Sequence, residues 1–196
     1  MDPYIRRNFM KISAIVMASG LSRRMGENKL LLDFKGKKIY EHTLDMLEKS
    51  KIDEVILVSS YKEILEDGEK RGFKTVYNDN NEVGKSASIK LGVKNCDKDS
   101  AMMFFVADQP LLTVETVDKL IDSFDGEKIT YPRTEKRRGA PVIFSNDYRE
   151  GLLALDFDQG GMVLVNDENK NEVFIDNIKE LWDIDTYKNL EELKDA

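Results

Sequence analysis

Residues 12–29 read Ile12-Ser13-Ala14-Ile15-Val16-Met17-Ala18-Ser19-Gly20-Leu21-Ser22-Arg23-Arg24-Met25-Gly26-Glu27-Asn28-Lys29. The apolar run over 12–17 stops at a small-residue turn, Ala18-Ser19-Gly20, and basic residues follow. A short run with no polar alternation is what a strand buried on both faces requires. The same pattern returns at 54–58 (EVILV) and 101–107 (AMMFFVA). Between these runs the spacing is helical, with Leu44 and Leu47 in 41–50, Ile89 and Val93 in 85–93, and Val117, Leu120, Ile121 and Phe124 in 114–124. Alternation of strand and helix to about residue 125 predicts right-handed crossovers and an α/β/α three-layer sandwich around a mostly parallel, Rossmann-like sheet.

Beyond residue 125 the rhythm changes. Segments 128–131 and 141–144 read as strands joined by a basic loop over 133–138, the expected antiparallel part of the same domain. No linker or repeat divides the chain, so residues 11–196 form one domain and residues 1–10 a loose tail, with Met10 a second candidate start.

Composition narrows the function. The 196 residues carry 30 Lys plus Arg and 37 Asp plus Glu, a formal net charge of −7, which disfavours a general nucleic-acid binder. No apolar stretch approaches the roughly 20 residues of a membrane helix, and the first residues are too polar for a secretory signal. Cys96 and His42 are each the sole residue of their type, which excludes an internal disulfide and multi-histidine or thiolate metal sites. His42 reads as structural and Cys96 as unactivated. These observations describe a cytoplasmic enzyme or small-molecule binder without nucleic-acid or membrane partners.

The loop after the first strand suits a polyphosphate. Ala18, Ser19, Gly20 and Ser22 let backbone N–H groups approach an anion, and Arg24 and Lys29 add positive charge. The loop lacks the G-x-G-x-x-G of dinucleotide folds, and Gly84-Lys85-Ser86 completes no ATPase phosphate loop because Asp79 stands where that loop begins with glycine. Gly84, Ser86 and Ser88 open a helix whose N-terminus either receives an anion or a base carbonyl or is simply capped. Asp108 ends the strand at 101–107, at the edge where open α/β sheets bind ligands, and suits Mg²⁺. Thr113 can cap the next helix unaided. Asp183 and Asp185 flank an inward Ile184, and there a metal ligand, a substrate hydrogen bond and an N-cap for a helix over 187–193 all stand open. The Asp156–Asp158 pair lacks the glycine and glutamate positions of a calcium loop.

Together these segments resemble one family. Residues 18–32, A-S-G-L-S-R-R-M-G-E-N-K-L-L-L, are similar to the opening motif of molybdenum cofactor nucleotidyltransferases, and most similar to the CTP:molybdopterin cytidylyltransferase branch. Residues 78–88 resemble its second nucleotide loop, 107–110 its A-D-Q-P, 138–142 its R-G-H-P-V with Ala140 for histidine, and 183–186 its D-I-D-T. Residues 156–162 resemble its G-D-x-G-A-R with Met162 for the arginine. The resemblance implies a nucleotide-diphospho-sugar transferase fold, with a nucleotide half over about 11–125 and an acceptor half over about 126–196. It implies Mg²⁺ (Mn²⁺ as the alternative) on Asp108 and Asp185, with Arg24, Lys29 and Asp108 catalytic. Arg138, Gly139, Pro141 and Asp183 would lie on the acceptor side. The implied reaction moves CMP from CTP to molybdopterin and releases pyrophosphate, and the cofactor then passes to a molybdenum hydroxylase apoenzyme or its maturation factors. GTP or ATP remains open for the base. A cytidylyltransferase for a sugar or alditol phosphate and a non-catalytic cofactor carrier are the rival readings.

Overall fold

The computed structural model describes residues 10–22 and 24–194. Nine strands are present among them: β1 (Ile12–Ala18), β2 (Asp33–Phe34), β3 (Lys37–Lys38), β4 (Glu54–Ser59), β5 (Lys74–Tyr77), β6 (Ala101–Val106), β7 (Ile129–Arg133), β8 (Val142–Phe144) and β9 (Lys170–Phe174). The helices among them are α1 (Ile39–Leu47), α2 (Lys62–Lys70), α3 (Lys85–Asn95), α4 (Val114–Ser123), α5 (Arg149–Leu153) and α6 (Tyr187–Lys194), with short 3₁₀ turns between. None of the described helices is long and apolar enough to cross a membrane. The tail expected over 1–10 lies outside the described residues except for Met10, whose side chain packs partly buried against the core.

Seven strands form one sheet in the order β5-β4-β1-β6-β8-β7-β9, and β2–β3 is a separate hairpin. β1 pairs in parallel with both β4 and β6, β4 with β5, and β7 with β9. β8 runs antiparallel to β6 and β7, so the expected antiparallel pair lies inside the sheet and not at its edge. The chain leaves β1 toward β4 and β5, then returns to the opposite side of β1 with β6. Order therefore reverses between β1 and β6, and the carboxyl ends of those two strands open a crevice.

Alternation along β1 explains the layers. Ala14, Val16 and Ala18 face a core built with α1, α2, α4 and α6, while Ile15 faces a second core built with α3 and α5. α3 lies close against the sheet because Gly92 faces β1: a Cβ there would stand 2.2 Å from Ile15 Cγ2. A side chain at 92 would push α3 away from the sheet and shift its N-terminus, which borders the crevice.

Candidate active site

The crevice is a cleft of about 500 Å³. Ser19, Gly20, Leu21, Lys29 and Leu30 line it from the first loop, Asn81–Lys85 and Ser88 from the second, and Asp108 from the end of β6. Phe157 and Asp158 close it from the segment before the Gly161–Leu164 turn.

Lys29 lines the cleft and joins the charged groups beside it. Its backbone is fixed by the 3₁₀ turn Lys29–Leu31, for which Asn28 Oδ1 accepts from Leu30 N–H, and by Ser22 Oγ, which accepts from Lys29 N–H at 3.1 Å. Ser22 thus uses its hydroxyl to brace the loop, at a φ of 48°. The Lys29 ammonium donates to Asp108 Oδ2 at 2.6 Å and Asp185 Oδ1 at 2.8 Å, and Arg24 donates to Asp185 Oδ2 at 3.1 Å. Burial opposes the Lys29 charge, but the two carboxylates outweigh it and hold its pKa above the ordinary lysine value. Burial raises the Asp108 pKa against the pull of Lys29. Asp185, more exposed, is held below the usual carboxylate range, first by the Lys29 hydrogen bond and then by the Lys29 and Arg24 charges, against its own burial.

The carboxylates are not capping groups. Thr113 caps α4, accepting from Thr116 N–H at 3.2 Å, and Thr186 Oγ1 accepts from Asn189 N–H at 3.1 Å in the first turn of α6. That leaves Asp108, which lines the cleft, and Asp185 together on the Lys29 ammonium. Ile184 is buried, as alternation predicts, and its N–H donates to the Asp108 carbonyl at 3.0 Å, tying the last segment to the end of β6. Asp183 takes other partners: Gln109 Nε2 donates to it at 2.8 Å and Arg137 at 3.3 Å.

This donor set fits a hard divalent cation. Asp108 Oδ1 is buried with no hydrogen-bond partner, so an acceptor is left open beside a second carboxylate. No group of three or more metal-ligating side chains occurs among the described residues. Mg²⁺ needs only one or two carboxylates when phosphate oxygens and water supply the rest.

The second loop is shaped by Gly84. Its φ is +114°, and a Cβ there would stand 2.7 Å from the Phe157 carbonyl oxygen. Ser86 N–H donates to that same oxygen at 3.1 Å, and Lys85 N–H to Asp158 Oδ1 at 3.4 Å. Ser86 is buried outside the cleft lining, and Ser88 lines it but accepts from Asn78 Nδ2 at 3.0 Å. The helix N-terminus therefore anchors the 157–158 segment with its free N–H groups.

The candidate acceptor residues fall outside this cleft lining. Arg138 pairs with Glu172 at 3.1 Å and lies over the Tyr131 ring, and Gly139 packs near Leu181. Pro141 is buried after a cis peptide bond with Ala140. From the basic loop over 133–138 it is Arg137 that reaches Asp183, a residue the sequence did not single out, and Gln109 and Phe157 were also unassigned. Only the apolar character of Phe157 in a polar stretch could have marked it. His42 Nε2 meets the Phe34 carbonyl at 2.7 Å, and Cys96 is buried, so both are structural as expected.

The profile of the MobA-like NTP transferase domain matches residues 14–173. The chain belongs to that family. It is a nucleotidyltransferase, and its sheet and helices are those of the nucleotide-diphospho-sugar transferase type. Among similar proteins, a "probable molybdenum cofactor guanylyltransferase" of Thermococcus gammatolerans is 36% identical over 143 residues, covering 70% of this chain and 71% of its own. One of the same name in Aquifex aeolicus is 32% identical over 140 residues, covering 70% and 65%. Rv0371c of Mycobacterium tuberculosis superimposes with a TM-score of 0.83 at 22% identity, over 95% of this chain and all of that one, and it has also been crystallised with manganese.

Proposed function

We propose that this MobA-like transferase attaches CMP from CTP to the terminal phosphate of molybdopterin or its molybdenum-loaded form, releasing pyrophosphate and giving the cytosine dinucleotide cofactor. The observation that carries the reading is the Lys29 ammonium, in the wall of a cleft lined by the two loops, bridging Asp108 and Asp185. The names of the relatives and the A-D-Q-P and R-G-x-P segments support the acceptor, and the resemblance of residues 18–32 to the CTP branch supports CTP. GMP transfer from GTP is the second reading, favoured by those same relatives' names.

An acceptor phosphate oxygen attacks the α-phosphorus in line, a new P–O–P bond forms, and the bond to the β-phosphate breaks. The acceptor oxygen is already ionised, so no general base is needed, and rate comes from position and charge. A divalent cation, Mg²⁺ or Mn²⁺, held by Asp108 and Asp185, supplies neutralisation of the phosphate oxygens when bound. Lys29, once its carboxylates are taken, faces the α-phosphate as negative charge spreads there. Arg24, exposed and paired with Asp185, meets the leaving pyrophosphate. Ser19 and Gly20 present the first loop to the triphosphate, and Gly84 and Ser88 the second. Arg137 and Asp183 orient the acceptor, with Arg138, Gly139 and Pro141 shaping the strand entry behind them. The product passes in the cytoplasm to a molybdenum hydroxylase apoenzyme or its maturation factors.

The test is pyrophosphate release from each of the four nucleoside triphosphates with Mg²⁺, with and without molybdopterin. Release with CTP only when molybdopterin is present supports the reading. Release with GTP in its place moves the base to the second reading. Release with a sugar or alditol phosphate as acceptor, and none with molybdopterin, overturns the acceptor.

A further inference from the structure

Phe157 is the most exposed large apolar side chain among the described residues, at 76% exposure, and yet it lines the catalytic cleft. Its backbone is not that of a loose loop. The φ of Phe157 is +48°, a left-handed conformation that a bulky residue rarely adopts, and its carbonyl oxygen accepts from Ser86 N–H at 3.1 Å while packing on Gly84. When 156–162 is laid on the G-D-x-G-A-R pattern with Met162 in the arginine position, Phe157 falls where that pattern has a glycine, which would adopt such a φ without cost. A ring is thus held in a strained backbone, pinned to the N-terminal turn of α3, and left uncovered by protein. Strain of this kind persists where the surroundings enforce it, and it concentrates at ligand sites.

We infer that the Phe157 ring is a stacking platform for the planar base of the bound nucleoside triphosphate. The inference rests on the nucleotidyl-transfer reading and adds a base-contacting residue to it. Leu21 and Val83, both exposed, line the same cleft, so it offers apolar surface beside the charged group of Lys29 and Asp108. A nucleotide presents those two chemistries together: a flat aromatic ring and a polyanion. An aromatic face takes any base, so Phe157 contributes affinity and orientation more than choice between bases.

The experiment measures binding of CTP and GTP, without acceptor, to the wild-type protein, Phe157→Ala and Phe157→Trp, with inorganic tripolyphosphate as the ligand that lacks a base. Base stacking of this kind is commonly lost to alanine at a cost of about tenfold or more in affinity. The expected result is that loss in Phe157→Ala, recovery in Phe157→Trp, unchanged tripolyphosphate binding and an unchanged melting temperature. Equal triphosphate affinity in wild type and Phe157→Ala overturns the inference and leaves the transfer reading standing. An equal loss for tripolyphosphate overturns it in favour of a role in shaping the loop. In a separate titration with molybdopterin alone, weakened binding to Phe157→Ala with intact nucleotide binding assigns the ring to the acceptor's pterin and overturns the base assignment. Failure of the wild-type protein to bind any triphosphate removes both the inference and the reading beneath it.

Discussion

Lys29 Nζ stands 2.6 Å from Asp108 Oδ2, across a junction where the chain brings together a loop after β1 and the end of β6. The ammonium occupies the carboxylate edge that a divalent cation would also use. Cation and lysine therefore compete for Asp108 and Asp185 until phosphate gives Lys29 a second anion. In Lys29→Met the carboxylates lose that competitor. Mn²⁺ binding without nucleotide, read by electron paramagnetic resonance, should tighten, while turnover with saturating substrates falls by about 100-fold or more. Weaker Mn²⁺ binding in this variant would mean that Lys29 organises the metal site and does not compete for it.

Asp108→Asn keeps the shape and the backbone carbonyl that receives Ile184 N–H, and Thr113 still caps α4. The folded protein should melt near the wild-type temperature and lose turnover by at least about 100-fold. A variant with near-normal rate would remove Asp108 from the chemistry.

Gly84→Ala places a methyl group 2.7 Å from the Phe157 carbonyl oxygen at a φ of +114°. Backbone must move on one side of that contact, at a cost of about 1–3 kcal/mol. Because the displaced segments line the cleft, KM for the triphosphate should rise further than KM for the acceptor. Steady-state kinetics varying each substrate in turn separates the two.

Neighbouring arginines should differ. Arg137 donates to Asp183, two residues before Asp185, whereas Arg138 is taken by Glu172. Arg137→Ala should reduce kcat/KM for the acceptor at least about tenfold, and Arg138→Ala by clearly less, in the same assay. The reverse ranking would restore Arg138 as the acceptor contact.

Far from the cleft, Arg71 joins Asp45 at 2.7 Å, Glu48 at 3.0 Å and Asp67 at 3.0 Å, linking α1 to α2. Burial works against the Asp45 charge, but hydrogen bonds from Lys37 and Arg71 hold its pKa below the ordinary carboxylate value. A carboxyl depressed on folding contributes stability that is complete above its unfolded pKa and lost as pH falls through its folded one. Arg71→Ala should therefore cost about 1–2 kcal/mol near pH 7, and the difference from wild type should shrink below about pH 4. Urea melts at pH 7, 5 and 3 measure it, and a gap that is the same at all three would exclude an ionic origin.

The central strands were legible in the sequence because burial on both faces leaves an uninterrupted apolar run, as in β1, β4 and β6. The edges were not. β5 has no fully buried residue, α2 buries only Ile64 and Gly68, and β9 buries only Val173, so their patterns are mostly polar. In the site, Lys29 could be read as positive charge in the loop after β1, Asp108 because it follows the end of β6, and Asp185 because it lies in an alternating segment. The choice between Arg137 and Arg138 could not. Arg138 forms an isolated bridge with Arg133, and extended backbone sends adjacent side chains to opposite sides. Which of the two reaches Asp183 follows from that pairing, a long-range fact that no local spacing encodes.

The bond from Ile184 N–H to the Asp108 carbonyl also has a temporal meaning. Most of the sheet is specified by the first 144 residues, but Asp185 reaches Lys29 only when the segment before α6 has docked and Leu190 and Leu193 have entered the core. Until that docking, the strands of the sheet can be in place while Lys29 has Asp108 but not Asp185 as a partner. The second carboxylate at Lys29 is therefore completed by the docking of residues 183–193, so substitutions that loosen Leu190 or Leu193 in the core should disturb the site from a distance.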